Sequence, residues 1–127
     1  MTTPAAAIAR RMTVTFVALI AVCLTAQAQT WPEKGITIVV PTAAGGANDA
    51  MARIIGQGLA TRLGKSVIVE NKAGASGNIG SGAVAKAKPD GYTILFAQNG
   101  LAINVAANPK LPFNGQKDLL PVVGVAA

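Results

Sequence analysis

The sequence predicts an α/β domain whose parallel strands alternate with helices. Apolar, largely β-branched runs at residues 36–40, 66–71 and 92–96 are typical of strands in a sheet. Helical patterns separate the runs, and a polar loop with glycine follows each one. The order β-α-β-α-β implies a parallel sheet with right-handed crossovers, so all three loops are expected at one edge. Ligands of open parallel sheets bind at this edge.

The first strand is expected to be buried on both faces and to end at Pro41, which lacks the N–H that a sheet ladder requires. The loop 41–49 combines small residues with a glycine pair, which leaves backbone amides uncovered near the positive end of a helix. Asn48 or Asp49 is expected to cap that helix through its side-chain oxygen. We therefore interpret the loop as a carboxylate site. An ordinary βα turn without a ligand has the same composition and stays open as the alternative.

The first helix is predicted from apolar residues at helical spacing, with Gly64 as its left-handed cap. Its apolar stripe consists of Met51, Ile54, Ile55, Leu59 and Leu63. The strand 66–71 then leads into a second glycine-rich turn, 72–80, which offers further free amides. In this turn Ser76 and Asn78 are expected to act as side-chain donors or helix caps.

The third strand is expected to be buried, and it follows a turn at Pro89-Asp90-Gly91 that ends the second helix. The loop after this strand adds Gln98 and Asn99 to the same edge of the sheet. The remaining tail is less regular. A short helix is predicted over 103–107 and a strand over 122–126.

The first 28 residues have the features of a secretory signal peptide. The pair Arg10-Arg11 precedes an apolar run over 12–25, and Ala26-Gln27-Ala28 has the small–x–small pattern of a cleavage site. The apolar run is too short to cross a membrane. We therefore predict that residues 1–28 are removed and that the domain 29–127 is secreted.

The residue types exclude several classes of function. The chain has no His, and its one cysteine, Cys23, lies in the leader, so a zinc site and a His-assisted nucleophile are excluded. Val22 is bulky where a small residue should precede a lipidated cysteine, which disfavours a lipid anchor. The formal net charge of +6 forms no basic stripe with interleaved aromatics, so nucleic acid is not expected as a partner. No cofactor and no metal are predicted.

A series of different short motifs runs from Trp31 to the last residue. They are Trp31-Pro32, Pro41-x-x-x-Gly45-Gly46-x-x-Asp49, Ala52-Arg53, Val69-Glu70-Asn71-Lys72-x-Gly74, Gly77-Asn78-Ile79-Gly80, Ala83-Val84-Ala85-Lys86, Pro89-Asp90-Gly91-Tyr92-Thr93, Ala102-Ile103-Asn104 and Leu111-Pro112-Phe113. With these motifs the chain resembles the solute-binding receptors of tripartite tricarboxylate transporters, the Bug family of periplasmic proteins. It departs from the family pattern at Thr42, where an aromatic residue is usual, and at Ala44 and Val105, where proline is common.

The resemblance implies one lobe of a type II periplasmic binding protein, in which two α/β lobes close on a carboxylated solute and present it to membrane subunits. Residues 29–127 are expected to be the first lobe, with the second lobe missing from this sequence. The protein is expected to catalyse nothing and to bind a small organic acid or amino-acid-like solute. One carboxylate is implied to be held partly through water by the candidate site residues Thr42, Ala43, Ala44, Gly45, Gly46, Asn48, Asp49, Ser76, Gly77, Asn78, Gln98 and Asn99.

Two other classes of function stay open from the residues alone. A small α/β enzyme could use Asp49 as a base on a carboxylate substrate, and an anion- or cofactor-binding module could use the same loops. For the receptor, we expect Gly46→Val to impair binding more than folding. A β-branched side chain would cover the amides and resist a positive φ.

Overall fold

The structure is a computed structural model that describes residues 30–125. The signal peptide predicted over residues 1–28, with its cleavage site, lies outside the described residues. Three strands form one parallel sheet, and they are β1 (Ile36–Val40), β2 (Val67–Asn71) and β3 (Thr93–Leu95).

A helix follows each strand: α1 (Ala47–Leu63), α2 (Asn78–Ala85) and α3 (Gly100–Ala107). The sheet order is β2-β1-β3, so the chain moves from β1 to one side of the sheet and then crosses to the other. Since crossovers between parallel strands are right-handed, α1 and α2 cover opposite faces of the sheet. The predicted α/β class and the order β-α-β-α-β are confirmed.

The central strand β1 provides most of the core. Ile36, Ile38, Val39 and Val40 are at most 3% exposed, which confirms that β1 is buried on both faces. In β2 the exposed side chains alternate with half-buried ones, and β3 is half-buried along its length. The expectation of a buried third strand is wrong, because β3 lies at the edge of the described sheet and is covered less completely than β1.

Small residues bring α1 close to the sheet. Its buried apolar positions are Ala52 and Gly56, whereas Met51 and Ile54 of the predicted stripe are 37% and 69% exposed. A Cβ built at Gly56 would lie 3.4 Å from the nearest methyl carbon of β2, so the two elements are in contact without a large side chain between them. The stripe is therefore wrong at two positions. The left-handed cap at Gly64 is confirmed, with a φ of 63°.

The first turn of α2 packs directly on the backbone that leaves β1 and β2. A Cβ built at Gly80 would lie 2.8 Å from the carbonyl oxygen of Lys72 and 3.0 Å from the Cα of Pro41. Such an approach is possible only without a side chain. After α2, the predicted turn is confirmed, because Asp90 Oδ1 accepts a hydrogen bond from the Tyr92 N–H at 3.1 Å.

The tail is irregular after its helix and largely exposed. The helix α3 begins at Gly100, earlier than the sequence predicts. Val122 and Val123 are 84% and 78% exposed, and no strand is formed over 122–125 within the described residues. The strand predicted there is wrong, because backbone groups form a ladder only with a neighbouring strand. No helix within residues 30–125 has the length and hydropathy needed to span a membrane.

Candidate functional site

An open groove of about 390 Å³ lies at the carboxyl edge of the sheet, where the three predicted loops meet α3. Its volume is within the range of small-molecule sites. The sheet order reverses around β1, and open parallel sheets bind their ligands at such a point. The groove is lined by Pro41, Thr42, Ala73, Gly74, Ser76, Gly77, Gln98, Gly100, Ile103 and Asn104.

The lining of the groove is uncharged. Its polar side chains come from Thr42, Ser76, Gln98 and Asn104, and the other lining residues are glycine or apolar. Ile103, which is 66% exposed, is the largest of the apolar ones. The groove therefore offers neutral hydrogen-bonding groups to a polar ligand and an isoleucine side chain to a hydrocarbon portion.

Asp49 places a carboxylate inside the first loop. Its side chain is buried, and Oδ2 accepts hydrogen bonds from the Gly45 N–H at 2.9 Å and from Arg53 Nε at 3.1 Å. Arg53 Nη2 lies 3.0 Å from Oδ1. The Arg53 hydrogen bond and then that of the Gly45 N–H lower the pKa of Asp49 from 3.8 to about 2. The Gly45 amide, which the sequence suggests is free for a solute, is therefore already occupied.

Neither Asn48 nor Asp49 caps α1, contrary to the sequence prediction. The residue at the cap position is Gly46, which makes no side-chain hydrogen bond, and the helix starts directly after it. Asp49 lies in the first turn, from which its carboxylate reaches back past the cap to Gly45. Asn48 Nδ2 instead donates to Gln98 Oε1 at 2.6 Å, which joins the first loop to the third.

The two adjacent glycines of the first loop differ in backbone conformation. Gly45 has a φ of 86°, whereas Gly46 is extended, with φ −82° and ψ 174°. The positive φ invoked above for Gly46→Val is therefore wrong, because the positive φ is at Gly45, whereas the argument that a valine would cover the amides stays a prediction. Ala43, Ala44 and both glycines are exposed and are not among the residues that line the groove.

A hydrogen-bonded chain continues from Asp49 to the groove. Arg53 Nη2 donates to Asn71 Oδ1 at 3.3 Å, and Asn71 Nδ2 donates to the carbonyl oxygen of Thr42 at 3.3 Å. These bonds connect α1, the end of β2 and the first loop. The hydroxyl of Thr42 is buried and has no hydrogen-bond partner within residues 30–125, so its hydrogen-bonding capacity is unused.

The second loop has a left-handed backbone at four successive residues. The φ angle is 127° at Gly74, 48° at Ala75, 55° at Ser76 and 89° at Gly77. Glycine adopts such angles without strain, whereas each of the other two residues is strained by about 1–3 kcal/mol. The carbonyl oxygen of Ser76 accepts a hydrogen bond from Asn104 Nδ2 at 2.7 Å, which connects this turn to α3.

Three polar side chains do not have the roles or the places that the sequence suggests. Ser76 and Asn78 do not cap α2, because Gly77 is at its cap position and makes no side-chain hydrogen bond. Asn78 lies outside the lining of the groove, and its buried Oδ1 has no partner among the described residues. Asn99 precedes α3 with a helical φ of −54° and also lies outside the lining.

Known proteins are similar to this chain in sequence. Residues 51–127 match the family model described as the tripartite tricarboxylate transporter family receptor, and this match covers more than half of the chain. The chain belongs to this receptor family. The resemblance carried by the sequence motifs is confirmed.

Relatives resemble this chain in both sequence and fold. A UPF0065 protein of Bordetella bronchiseptica is 46% identical over 101 residues, which are 79% of this chain and 30% of the relative. A solved periplasmic transporter has a TM-score of 0.63 at 44% identity, over 66% of this chain and 29% of that one. MatC of Rhodopseudomonas palustris, solved with bound malate, has a TM-score of 0.62 at 37% identity, over 69% and 30%. The chain spans about three tenths of the length of these proteins.

Asp49 is poorly suited to act as a general base. A base acts best when its pKa lies near the working pH, whereas that of Asp49 is lowered to about 2. Its oxygens are also engaged by Arg53 and by the Gly45 N–H. Within residues 30–125, no three His, Cys, Asp or Glu side chains lie close enough together to hold a metal ion.

The sequence predicted four of the residues that line the groove and missed the other six. The predicted residues that line it are Thr42, Ser76, Gly77 and Gln98. The lining residues missed are Pro41, Ala73, Gly74, Gly100, Ile103 and Asn104. Ile103 and Asn104 had a usable signal, since both belong to a motif that supports the family resemblance. So did Arg53 and Asn71, which support the first loop.

Proposed function

We propose that this protein is a periplasmic receptor that binds a small carboxylate-bearing solute in the groove and delivers it to the membrane subunits of a tripartite tricarboxylate-type transporter. The observation that carries the proposal is the uncharged groove with four polar side chains at the carboxyl edge of the sheet, where the order of the strands reverses. Two relatives support it: one solved structure is of a periplasmic transporter, and MatC was solved with malate. The solute is a small organic acid or an amino-acid-like compound.

The solute carboxylate is held by hydrogen-bond donors rather than by a countercharge. Two basic side chains near this edge are already paired: Arg53 of α1 with Asp49, and Lys72 of the second loop with Glu70. The hydroxyl of Thr42, in contrast, has its hydrogen-bonding capacity free within the described part of the chain. Hydrogen bonds to a charged group contribute about 1.5–3 kcal/mol each, so a few well-placed donors can hold a carboxylate.

The other candidate residues have indirect roles in holding the solute carboxylate. Ala43, Ala44, Gly45 and Gly46 are exposed beside the groove residue Thr42, and in this proposal they contact the solute through water. Asn48 acts through its hydrogen bond to Gln98. For Asp49, Asn78 and Asn99 the proposal is a supporting role, since none of them lines the groove.

The receptor proposal includes a two-lobed organisation. Residues 29–127 form one lobe after removal of the leader 1–28, and the opposite wall of the groove comes from a second lobe. The open form of the groove and the partial coverage of the solved relatives support this organisation.

Titration of the ¹⁵N-labelled chain by NMR tests the proposed site. Malate, citrate and glutamate, added separately at constant pH and ionic strength, sample hydroxy acids, tricarboxylates and amino acids. We expect saturable shifts at the amides of Thr42, Ser76, Gly77 and Gln98, because these residues line the groove. Sodium sulfate at matched ionic strength is the control for nonspecific anion effects.

A matched pair of variants then separates the groove from the rest of the edge. Thr42→Val replaces the unpartnered hydroxyl with a methyl group of similar shape and should weaken binding. Thr61→Val makes the same replacement on α1, where the hydroxyl bonds the carbonyl of Gln57 away from the groove, and should leave binding unchanged. Shifts spread evenly over the surface, or equal effects of the two variants, would contradict the proposed site.

A further inference from the structure

We propose that Asn104 is a positioning residue that holds the left-handed turn at residues 74–77 in the conformation that binds the solute. This inference rests on the proposed function and adds to it a residue that does its work through the backbone of Ser76. The observation behind it is the hydrogen bond from Asn104 Nδ2 to the carbonyl oxygen of Ser76, at 2.7 Å. Both residues line the groove.

The turn needs an external support because it is strained. Ala75 and Ser76 have φ angles of 48° and 55°, a region that side-chain-bearing residues rarely adopt. Such conformations persist only where the surroundings enforce them. Within the turn, the Gly77 N–H donates to the carbonyl of Gly74 at 3.0 Å. Among residues 30–125, Asn104 supplies the side-chain hydrogen bond to this backbone.

Packing restrains the two ends of the turn but not its middle. A Cβ at Gly74 would lie 2.6 Å from Ile79 Cδ1, and one at Gly77 would lie 3.4 Å from Pro41 Cβ, so both glycines are in close contact with neighbours. Ala75 and Ser76 are exposed between them. The hydrogen bond from α3 therefore acts on the part of the turn that packing leaves unsupported.

The helix α3 is itself held by few contacts. It has no buried residue, and Ile103 is 66% exposed. The bond between Asn104 and Ser76 therefore fixes two walls of the groove at once, the turn and the helix. Without it, we expect the turn to relax toward negative φ and the Ser76 amide to leave the position that a carboxylate requires.

The experiment compares Asn104→Leu with Asn108→Leu in the labelled chain. The first variant removes the donor without adding a charge, and the second makes the same change after the end of α3, where the side chain accepts only from the Lys110 N–H. A strong intraresidue HN–Hα NOE reports positive φ at Ala75 and Ser76. We expect Asn104→Leu to lose these NOEs and to weaken malate or citrate binding about tenfold. Asn108→Leu should change neither.

A glycine substitution tests whether relief of strain replaces the hydrogen bond. Ala75→Gly makes positive φ acceptable without altering a polar side chain. We expect it to restore most of the binding lost in Asn104→Leu, so that the two substitutions are not additive. If Asn104→Leu does not give a dispersed spectrum, Asn104→Asp replaces it, since an ionised carboxylate has the same shape and cannot donate.

The possible outcomes distinguish a positioning role of Asn104 from direct contact with the solute. Weaker binding with the NOEs preserved would show that Asn104 contacts the solute directly, which overturns the positioning role. Loss of the NOEs without a change in affinity would overturn it as well, because the turn would then be irrelevant to binding. If none of the acids shifts the groove amides at concentrations well above about 1 mM, the proposed function fails, while the NOEs still show whether Asn104 holds the turn.

Discussion

Individual residues at the carboxyl edge are held mainly by hydrogen bonds and ion pairs. Asp49, Arg53 and Asn71 form a connected chain that ends on the carbonyl oxygen of Thr42. The family motifs identify these residues, but their partners depend on three elements that are distant in sequence. Sequence reasoning therefore assigned Asp49 to a solute or a helix cap, whereas the structure shows it bonded to Gly45 and Arg53.

The glycine pair of the first loop should respond asymmetrically to the same substitution. Gly45→Ser places a side chain at a φ of 86° and should destabilise the fold by about 1–2 kcal/mol. Gly46→Ser puts a favoured capping residue at the extended cap position of α1 and should be neutral or stabilising by a few tenths of a kcal/mol. Urea denaturation of both variants measures the difference. Equal destabilisation would mean that the φ angles of the two residues do not differ in solution.

Asp49 should make stability depend on pH in a defined window. Because its folded-state pKa is about 2, below the ordinary value of 3.8, its ionised form stabilises the fold above about pH 4. That contribution is lost as the pH falls through about 2. We expect the difference in urea midpoint between the unmodified chain and Asp49→Asn to shrink over this window. Asp90, whose pKa is also lowered, is present in both proteins and cancels. A constant difference down to the acid limit would show that charge at Asp49 is unimportant.

At the scale of elements, close backbone approach decides where the helices lie. The sequence predicts α1 and α2 as helices, but it predicts the buried face of α1 from large apolar residues. The structure instead buries Ala52 and Gly56 of α1, and it also buries small residues of α2, Gly80 and Gly82. The periodicity of large side chains carries no information about close contacts that depend on the absence of a side chain, as at glycine. The strand expected over 122–126 is not formed over its described residues 122–125, because apolar composition does not supply a neighbouring strand to pair with.

A pair of Gly→Ala variants tests this account of helix packing. Gly80→Ala would place Cβ 2.8 Å from the Lys72 carbonyl oxygen and should destabilise the fold by about 1–3 kcal/mol. Gly58→Ala, on the open face of α1 with no atom within 4 Å, should stabilise it by about 1 kcal/mol. Urea midpoints measure both changes. Equal signs for the two variants would contradict a packing role for Gly80.

At the scale of the whole molecule, the sequence predicts the architecture better than the site. Strands, helices and their order follow from local patterns, and the parallel sheet follows from that order, so the convergence of the three loops was predictable. The contribution of α3 was not, because it depends on where a helix outside the β-α-β-α-β core packs. Ile103 and Asn104 reach the groove through this packing.

The leader prediction can be checked directly on protein recovered from the periplasm. Ala26-Gln27-Ala28 fits the specificity of signal peptidase for small residues, and the pair Arg10-Arg11 precedes the apolar run. We expect mature protein to begin at Gln29, as measured by N-terminal sequencing and intact mass. A lipid attached at Cys23, or an uncleaved leader, would contradict this prediction.

The open groove also predicts the strength of binding by this chain. Four polar side chains line it. Because the groove is open to water, we take each hydrogen bond as about 1 kcal/mol, below the roughly 1.5–3 kcal/mol of a shielded bond to a charged group, or about 4 kcal/mol in total. This corresponds to a dissociation constant of about 1 mM before the entropy lost on association is included. Exposed contacts to a carboxylate are weakened further by salt. Isothermal titration with malate, citrate and glutamate at low and high ionic strength should therefore show millimolar or weaker binding that declines with salt. Micromolar one-to-one binding by the monomeric chain would show that this wall of the groove is sufficient, and the proposed second lobe would then not be needed for affinity.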